Sequence, residues 1–244
     1  VNGPDSVCQA SAGMVYTTES GMSGYIWSVT QGGTITGGQG SSAVIVDWGN
    51  PGLDTIWVTY SSATSPGAKA VMVMDAVPAG LAIAASANPV CAGTTVTYTA
   101  TPVNGGSSPS YQWSVNGLPV GSNAPVYTYT PASGDVVGCL LTSTHPCATG
   151  NPVAAIPVVM VVEPNLPAGI TITASANPVC QGTSVTLAAT VMNPGTTPSY
   201  QWRVNGFAAG SNASTFTCQP SSGDIITCMV TSSAACVTNN PALS

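Results

Sequence analysis

Charged side chains are nearly absent from this chain, which has two basic and eight acidic residues among 244. In soluble proteins about a quarter of the residues are usually charged. The solubility of this chain must therefore rest on Ser, Thr, Asn, Gln and Gly, or on groups attached to them. The two basic residues, Lys69 and Arg203, cannot form the clustered positive surface that phosphate backbones and anionic membranes attract. The composition therefore argues against nucleic acid and against binding to an anionic membrane.

Long hydrophobic runs and metal-ligand clusters are missing as well. The longest apolar stretch, residues 153–162, is interrupted by Pro157, whereas a membrane-spanning helix needs about 20 apolar residues. The chain has one histidine, His145, and no Cys-x-x-Cys pair, so neither a zinc site nor a Cys–His nucleophile is expected. We predict no membrane insertion, no metal, no cofactor and no catalytic residue, and we interpret the chain as non-enzymatic.

The sequence repeats itself at a fixed offset of 89 positions, because Cys91 returns as Cys180, Trp113 as Trp202 and Cys147 as Cys236. A fixed period of domain size indicates a tandem array, which builds length or multivalent surface rather than one active site. We predict three domains, namely a first repeat (1–77), a second repeat (78–166) and a third repeat (167–244).

Strand signals dominate each repeat. Residues 95–100, 111–115 and 126–129 alternate polar and apolar side chains, which is typical of strands with one buried face. Asn116-Gly117 predicts a tight hairpin turn. The pattern predicts an all-β chain of three β-sandwiches with about seven strands each, the last strand of the second repeat running over 153–162. Three tryptophans, which occupy matching strand positions, are expected in the cores: Trp27, Trp113 and Trp202.

Several motif strings resemble the immunoglobulin-like repeats of large secreted Bacteroidetes surface proteins. In the second and third repeats they are Asn-Pro-Val-Cys-x-Gly-Thr, Pro-Ser-Tyr-Gln-Trp-x-Val-Asn-Gly, Gly-Ser-Asn, Ser-Gly-Asp and the last cysteine. The first repeat, with Tyr25-x-Trp27-Ser28-Val29 and later Val44-x-Val46-x-Trp48, resembles the PKD-like domains of the same proteins. The similarity covers nearly the whole chain.

This resemblance implies export by a type IX-like route and an extracellular or cell-surface location. It does not imply one activity, since fold and function are separable. The first hypothesis is a structural part of an adhesin or extracellular fibre, whose partners are copies of itself, adjoining repeats and surface glycans. The alternative is a carbohydrate-binding or spacer region of a larger secreted enzyme.

Both ends of the chain are one strand short of the second repeat. The stretch that matches residues 154–162 would begin at 243, and only seven residues precede Cys8 whereas 81–90 precede Cys91. We therefore expect a third repeat that lacks its last strand. The sequence leaves two interpretations open: a segment of a longer chain, or a subunit whose open sheet edge accepts a strand from a neighbour, giving head-to-tail assembly.

Eight cysteines in a chain this poor in histidine indicate disulfides and an oxidising, extracellular setting. The spacing between Cys91 and Cys147 recurs between Cys180 and Cys236, which favours one disulfide within each of these repeats. Cys218 and Cys228 form a plausible third pair on neighbouring strands. Cys139 is then expected as a buried thiol. Cys8 has no later cysteine in its own repeat, where the matching region is Ser61-Ser62-Ala63-Thr64, so it is free or bridges to another chain.

Two further groups of residues are candidate functional positions. Asp135 and Asp224 follow Ser-Gly at the same repeat position, which favours capping of a turn. Trp48, Trp57 and Tyr60 are the candidate aromatic platform for a sugar ligand. Period-two alternation places Trp57 on the face opposite Ile56 and Val58.

Two short segments, Asp5-Ser6-Val7 and Asp54-Thr55-Ile56, resemble the O-glycosylation signal of the same bacteria. The resemblance implies Ser6 and Thr55 as attachment points. Glycans there would help explain solubility without charge.

Overall fold

The computed structural model describes residues 1–61 and 63–244, and within them it contains strands, turns and irregular segments but no helix. The all-β prediction is therefore confirmed. No helix among these residues is long and apolar enough to cross a membrane. The chain divides into two compact units, and the second repeat contributes residues to both. The first unit comprises Val1–Ala84, Tyr98–Tyr127 and Val136–Val158; the second comprises Ala85–Thr97, Thr128–Asp135 and Val159–Ser244.

The first repeat is a sandwich of two sheets. Its strands are β1 (Ser6–Cys8), β2 (Ser11–Thr17), β3 (Ile26–Val29), β4 (Gly33–Gly37), β5 (Ala43–Trp48), β6 (Gly52–Thr59) and β7 (Gly67–Met74). One sheet has the order β1-β7-β6-β3 and the other β2-β5-β4. All strand pairs within these sheets are antiparallel except the pair of β1 with β7. Strand β1 runs parallel to β7, and this pairing aligns Cys8 with Met74.

Period-two alternation sorts the side chains of the first repeat into core and surface. On β6, Ile56 and Val58 are fully buried, and on β5, Val44 and Val46 are fully buried. The predicted core tryptophan Trp27 is 2% exposed. Successive residues on a strand point to opposite faces of the sheet, so Trp57 lies opposite the buried Ile56 and Val58, as the sequence predicts.

A two-residue strand, β8 (Val77–Pro78), links the first repeat to the second. The second repeat then contains β9 (Gly80–Ala85), β10 (Val90–Cys91), β11 (Val96–Val103), β12 (Ser110–Val115), β13 (Leu118–Val120), β14 (Val126–Tyr129), β15 (Val136–Thr142), β16 (Ala148–Thr149), β17 (Val153–Ala154), β18 (Val158–Val159) and β19 (Val162–Glu163). Its main sheets have the orders β14-β11-β9 and β13-β12-β15-β17.

The single strand predicted over 153–162 is wrong, because that segment consists of the three short strands β17, β18 and β19. Pro157 lies between the first two, and proline has no N–H to donate to a sheet. The last of these pieces, β19, runs parallel to β10 and aligns Cys91 with Glu163. The second repeat thus reproduces the pairing of β1 with β7.

The third repeat has the strand order of the second, except that its described residues contain no counterpart of β10, β18 or β19. It contains β20 (Leu166–Pro167), β21 (Gly169–Ala174), β22 (Val185–Met192), β23 (Ser199–Val204), β24 (Phe207–Ala209), β25 (Thr215–Cys218), β26 (Ile226–Thr231), β27 (Val237–Thr238) and β28 (Ala242–Leu243). Its sheets have the orders β21-β22-β25 and β24-β23-β26-β28. Trp202 has no exposed surface and belongs to a core cluster with Val185, Leu187 and Cys228.

The Asn-Gly turns have the backbone that the sequence predicts. Asn116 and Gly117 have φ values of 53° and 79°, and Asn205 and Gly206 have 53° and 84°. Such turns connect β12 to β13 and β23 to β24, and they need positive φ at both central residues. Asn and Gly tolerate that conformation better than other residues do.

Candidate functional site: disulfide-bonded joints between repeats

The structure brings together two cysteines of successive repeats at the first joint. Cys8 of the first repeat is bonded to Cys147 of the second, 139 positions apart, with a Cα–Cα distance of 5.3 Å. The linker strand β8 runs parallel to β16, the strand that follows Cys147. The Val77 N–H donates to the Cys147 carbonyl at 3.0 Å. The side-chain amide of Asn104 donates to the Pro78 carbonyl at 2.7 Å.

The second joint repeats this arrangement one domain further along. Cys91 is bonded to Cys236, 145 positions apart, with a Cα–Cα distance of 5.2 Å. The linker strand β20 runs parallel to β27, and the Leu166 N–H donates to the Cys236 carbonyl at 3.0 Å. Asn193 donates to the Pro167 carbonyl at 2.8 Å. Covalent and hydrogen-bonded contacts therefore recur together at both joints.

We call Cys8, Cys91 and Cys180 the early cysteines, and Cys147 and Cys236 the late cysteines. The predicted bonds within repeats, Cys91 to Cys147 and Cys180 to Cys236, are wrong. Each late cysteine precedes a strand that pairs with the linker entering its own repeat. That linker continues the strand beside the preceding repeat's early cysteine. The late cysteine is thereby placed next to the early cysteine of the repeat before it.

Four cysteines remain thiols: Cys139, Cys180, Cys218 and Cys228. The buried thiol expected at Cys139 is confirmed, and burial raises its pKa to about 11. The predicted Cys218–Cys228 bond is wrong: the two residues belong to opposite sheets of the third repeat, where Cys218 pairs with Val185 and Cys228 with Trp202. Cys180 is an exposed thiol. Sequence reasoning did not single out the joints as sites.

The loop that carries each late cysteine is anchored inside its own repeat. In the third repeat, the hydroxyl of the buried Ser232 donates to the Asn193 carbonyl at 2.6 Å and accepts from the Ala234 N–H at 3.0 Å. The Ser232 N–H donates to the Asn240 side chain at 2.8 Å. Ser143 makes the matching bond to the Asn104 carbonyl in the second repeat. These bonds preorganise the late cysteine for the joint.

We expect Ser232→Ala to lower the free energy of unfolding of the third repeat by about 1 kcal/mol, since it removes the hydrogen bonds to the half-buried Asn193 carbonyl and Ala234 N–H. Chemical denaturation compares it with Ser222→Ala, a change at an exposed position that is expected to have little effect. Equal stability of the two variants would show that the loop needs no such anchor.

The candidate sugar platform is not formed. Trp48 is 1% exposed, and its indole N–H donates to the Tyr16 hydroxyl at 3.1 Å within the core of the first repeat. Tyr60 is half-buried against that core and donates to a Glu19 carboxylate oxygen at 3.1 Å. That hydrogen bond is the main reason why the pKa of Tyr60 is raised. Only Trp57 keeps its predicted place on the outer face of the sheet, where it is half-buried.

The two O-glycosylation candidates have different surroundings. Ser6 is exposed on β1, whereas Thr55 is half-buried and its N–H donates to the Thr30 hydroxyl at 3.0 Å. The neighbouring Asp54 is buried and accepts hydrogen bonds from the Thr30 hydroxyl and the Gly32 N–H. Asp54 therefore has a structural role, and attachment at Ser6 or Thr55 stays a prediction.

Asp135 and Asp224 accept hydrogen bonds across their turns, as predicted. The Ala132 N–H donates to Asp135 and the Ser221 N–H donates to Asp224, both at 2.8 Å. The Asn205 side chain also donates to Asp224 at 2.8 Å. The Ser221 N–H, and after it the Asn205 amide, holds the pKa of Asp224 below its ordinary value.

This lowered pKa gives the third repeat a pH dependence of defined sign. Stability from ionised Asp224 is present above the unfolded-state pKa and is lost as pH falls through the folded-state pKa. We expect the urea concentration at the midpoint of unfolding to decrease as the pH is lowered below about 4. The decrease should be less steep in Asp224→Asn. Identical pH profiles for the two proteins would contradict a stabilising role for this carboxylate.

Among residues 1–61 and 63–244, no group of three or more His, Cys, Asp or Glu side chains lies close enough to hold a metal ion. The described acidic residues include one member of an ion pair, in which the half-buried Lys69 contacts the exposed Asp5. The chemistry that the structure does assemble is the pair of disulfides.

The chain is similar to one domain family and to several solved structures. Residues 1–73 match the PKD-like domain family, and no curated protein matches the sequence. The full ectodomain (Ig1–Ig3) of mouse nectin-like molecule 4 is 13% identical, with a TM-score of 0.43. The alignment covers 100% of this chain and 96% of the ectodomain. The I-band fragment I67–I69 of titin is 9% identical, with 98% and 93% coverage and a TM-score of 0.43.

Domains of the Ig-like and PKD-like types are typical of adhesion proteins and structural repeats, and their fold is one that non-catalytic structural domains use. A disulfide-containing Ig-like fold is also consistent with an extracellular domain. The chain is an all-β tandem array of three Ig-like or PKD-like sandwiches, the first of which matches the PKD-like family.

Proposed function

We propose that this chain is a non-enzymatic structural part of a cell-surface adhesin or extracellular fibre, with domain boundaries near residues 77 and 166. The observation that carries the proposal is the recurrence of one joint, in which an early cysteine is bonded to the late cysteine of the next repeat. An enzyme's active site needs no recurring joint between repeats. An array that transmits force or holds a ligand at a distance does need such a joint. The motif resemblance adds export by a type IX-like route.

Each joint has two features that limit bending between adjacent repeats. The disulfide fixes one point of contact, and the parallel strand pairing of the linker fixes a second. At the second joint these points are Cys91–Cys236 and the β20–β27 pair. Two separated attachments restrict rotation more than one does, because a single linker leaves relative domain motion as the default. We infer that oxidation stiffens the array.

Assembly by strand complementation is the second part of the proposal. Residues 90–91 pair with β19 and residues 6–8 pair with β7, but the matching residues 179–180 belong to no strand. An open edge of this kind can accept a strand from a neighbouring copy. The scarcity of charge lets such copies approach without strong repulsion.

Electron microscopy of the purified chain, with and without a phosphine reductant, tests both parts. We expect a narrow distribution of angles between adjacent repeats in the oxidised chain and a broad one after reduction. Cys180→Ser, which leaves both disulfides in place, should behave as the parent. A broad distribution in both states would contradict the stiffening role. Filaments with an axial repeat of stacked sandwiches would support strand complementation, and isolated particles at all concentrations would contradict it.

A further inference from the structure

The exposed thiol of Cys180 occupies the position at which both other early cysteines form disulfides. Cys8 is bonded to Cys147, and Cys91 to Cys236, whereas Cys180 is unbonded and exposed. The partner is a late cysteine in each case, and it always comes from the following repeat. The structure thus displays the same residue engaged twice and unengaged once.

The backbone around Cys180 already has the conformation of the engaged site. The Thr183 N–H donates to the Cys180 carbonyl at 3.1 Å, and the Thr94 N–H donates to the Cys91 carbonyl at 3.0 Å. Gly182 and Gly93, which lie within these turns, have φ values of 81° and 84°. A preformed turn lowers the entropic cost of binding, so Cys180 is held ready for a partner.

The edge beside Cys180 is also open. Cys91 lies on β10, which pairs with β19, and the Ala92 N–H donates to the Glu163 carbonyl at 2.8 Å. No strand of the described residues runs beside Val179 and Cys180. The incoming partner therefore has room for both a strand and a disulfide at this position.

We propose that Cys180 is a covalent docking site for the late cysteine of a further Ig-like repeat of the same type, carried by this chain or by a neighbouring one. The inference rests on the proposed structural function. A PKD-like first repeat of another copy does not meet the requirement, since the sequence has no cysteine between Cys8 and Cys91. The partner must supply the loop that holds Cys147 and Cys236 in the second and third repeats.

The bond forms when the two thiols lose two protons and two electrons to a disulfide oxidant. With oxidised glutathione, a thiolate first attacks the glutathione disulfide and releases one reduced glutathione. The second cysteine thiolate then attacks the protein sulfur of the mixed disulfide and releases the other reduced glutathione.

The test extends the full chain by one repeat in register. A copy of residues 156–244 is fused after Ser244, because Ser244 matches Ala155 in the 89-residue period. Equal amounts of light and 15N-labelled extended chain are oxidised together in glutathione buffer, alkylated under native conditions and mapped by mass spectrometry. One control carries Cys236→Ser in the added copy only, and a second carries Cys180→Ser in the parent segment.

We expect a peptide that joins Cys180 to the late cysteine of the added repeat, together with loss of Cys180 alkylation. Linked peptides of uniform label would identify a partner in the same chain, and mixed labels a partner in a neighbouring chain; both support the proposal. Both controls should lose this peptide and keep the Cys8–Cys147 and Cys91–Cys236 peptides. The proposal is overturned if Cys180 remains a free thiol while these two disulfides are intact. It is also overturned if the added repeat is unfolded, so that the copies of its buried cysteines are alkylated under native conditions. Neither result would alter the predicted stiffening of the existing joints.

Discussion

The double substitution Cys91→Ser and Cys236→Ser should cost the oxidised chain up to about 5 kcal/mol of unfolding free energy, by the chain-entropy relation for a loop of this size. The bond closes 145 residues, so it restricts the unfolded chain over the whole span from the second repeat to the third. The expected loss is concentrated in the third repeat, which this bond ties to its predecessor. Hydrogen exchange of β26, which lies in the central part of that repeat's sheet, measures the change.

Cys180→Ser is the matched control for this experiment, since it removes an exposed thiol of the same residue type without removing a disulfide. We expect its exchange rates in β26 to equal those of the parent. Reduction of the parent should give the same exchange rates in β26 as the double variant has. Reduction of the double variant itself should leave its exchange rates in β26 nearly unchanged. Unaltered exchange in the double variant would mean that the two repeats are stabilised independently of the bond.

Trp202→Ala should destabilise the third repeat by about 3–5 kcal/mol, the cost of truncating a large aromatic side chain in a packed core. The ring is fully buried and stacks on Phe216 at a centroid distance of 5.6 Å, and its indole N–H donates to the Ala213 carbonyl at 2.9 Å. The substitution removes all of these contacts and leaves the Ala213 carbonyl without this donor. Urea unfolding followed by circular dichroism measures the loss.

Phe207→Ala provides the comparison, because Phe207 is 79% exposed on the neighbouring strand β24. We expect this variant to unfold within about 0.5 kcal/mol of the parent, as surface substitutions usually do. A similar loss in both variants would contradict the assignment of Trp202 to the core. Trp202→Phe should fall between the two, since it retains an aromatic ring but not the indole hydrogen bond.

Strand positions and core faces could be predicted because they depend on local patterns. Alternation with period two placed Trp57 of β6 opposite Ile56 and Val58, and Asn116-Gly117 identified the turn before β13. The burial of Trp48 could have been predicted from the sequence. Val44, Val46 and Trp48 occupy alternate positions on one strand, so burial of the valines places Trp48 on the same buried face. The break in the strand over 153–162 was signalled by Pro157.

The cysteine pairing could not be derived from spacing. Bonds within repeats leave Cys8 unpaired, and bonds between successive repeats leave Cys180 unpaired, so the same two late cysteines form two disulfides in either scheme. Disulfide formation depends on Cα atoms lying about 4.4–6.8 Å apart with converging Cβ vectors, and sequence separation does not encode that distance. The parallel pairing of each linker with the strand after a late cysteine decides between the schemes.

Disulfide mapping of the oxidised chain tests the central claim most directly. Digestion with pepsin in acid keeps thiols protonated and prevents exchange, and mass spectrometry then identifies the linked peptides. The account predicts links from Cys8 to Cys147 and from Cys91 to Cys236, with Cys180 recovered as a thiol. Links from Cys91 to Cys147 or from Cys180 to Cys236 would contradict it, because the repeats would then be closed individually and the joints would carry no covalent bond.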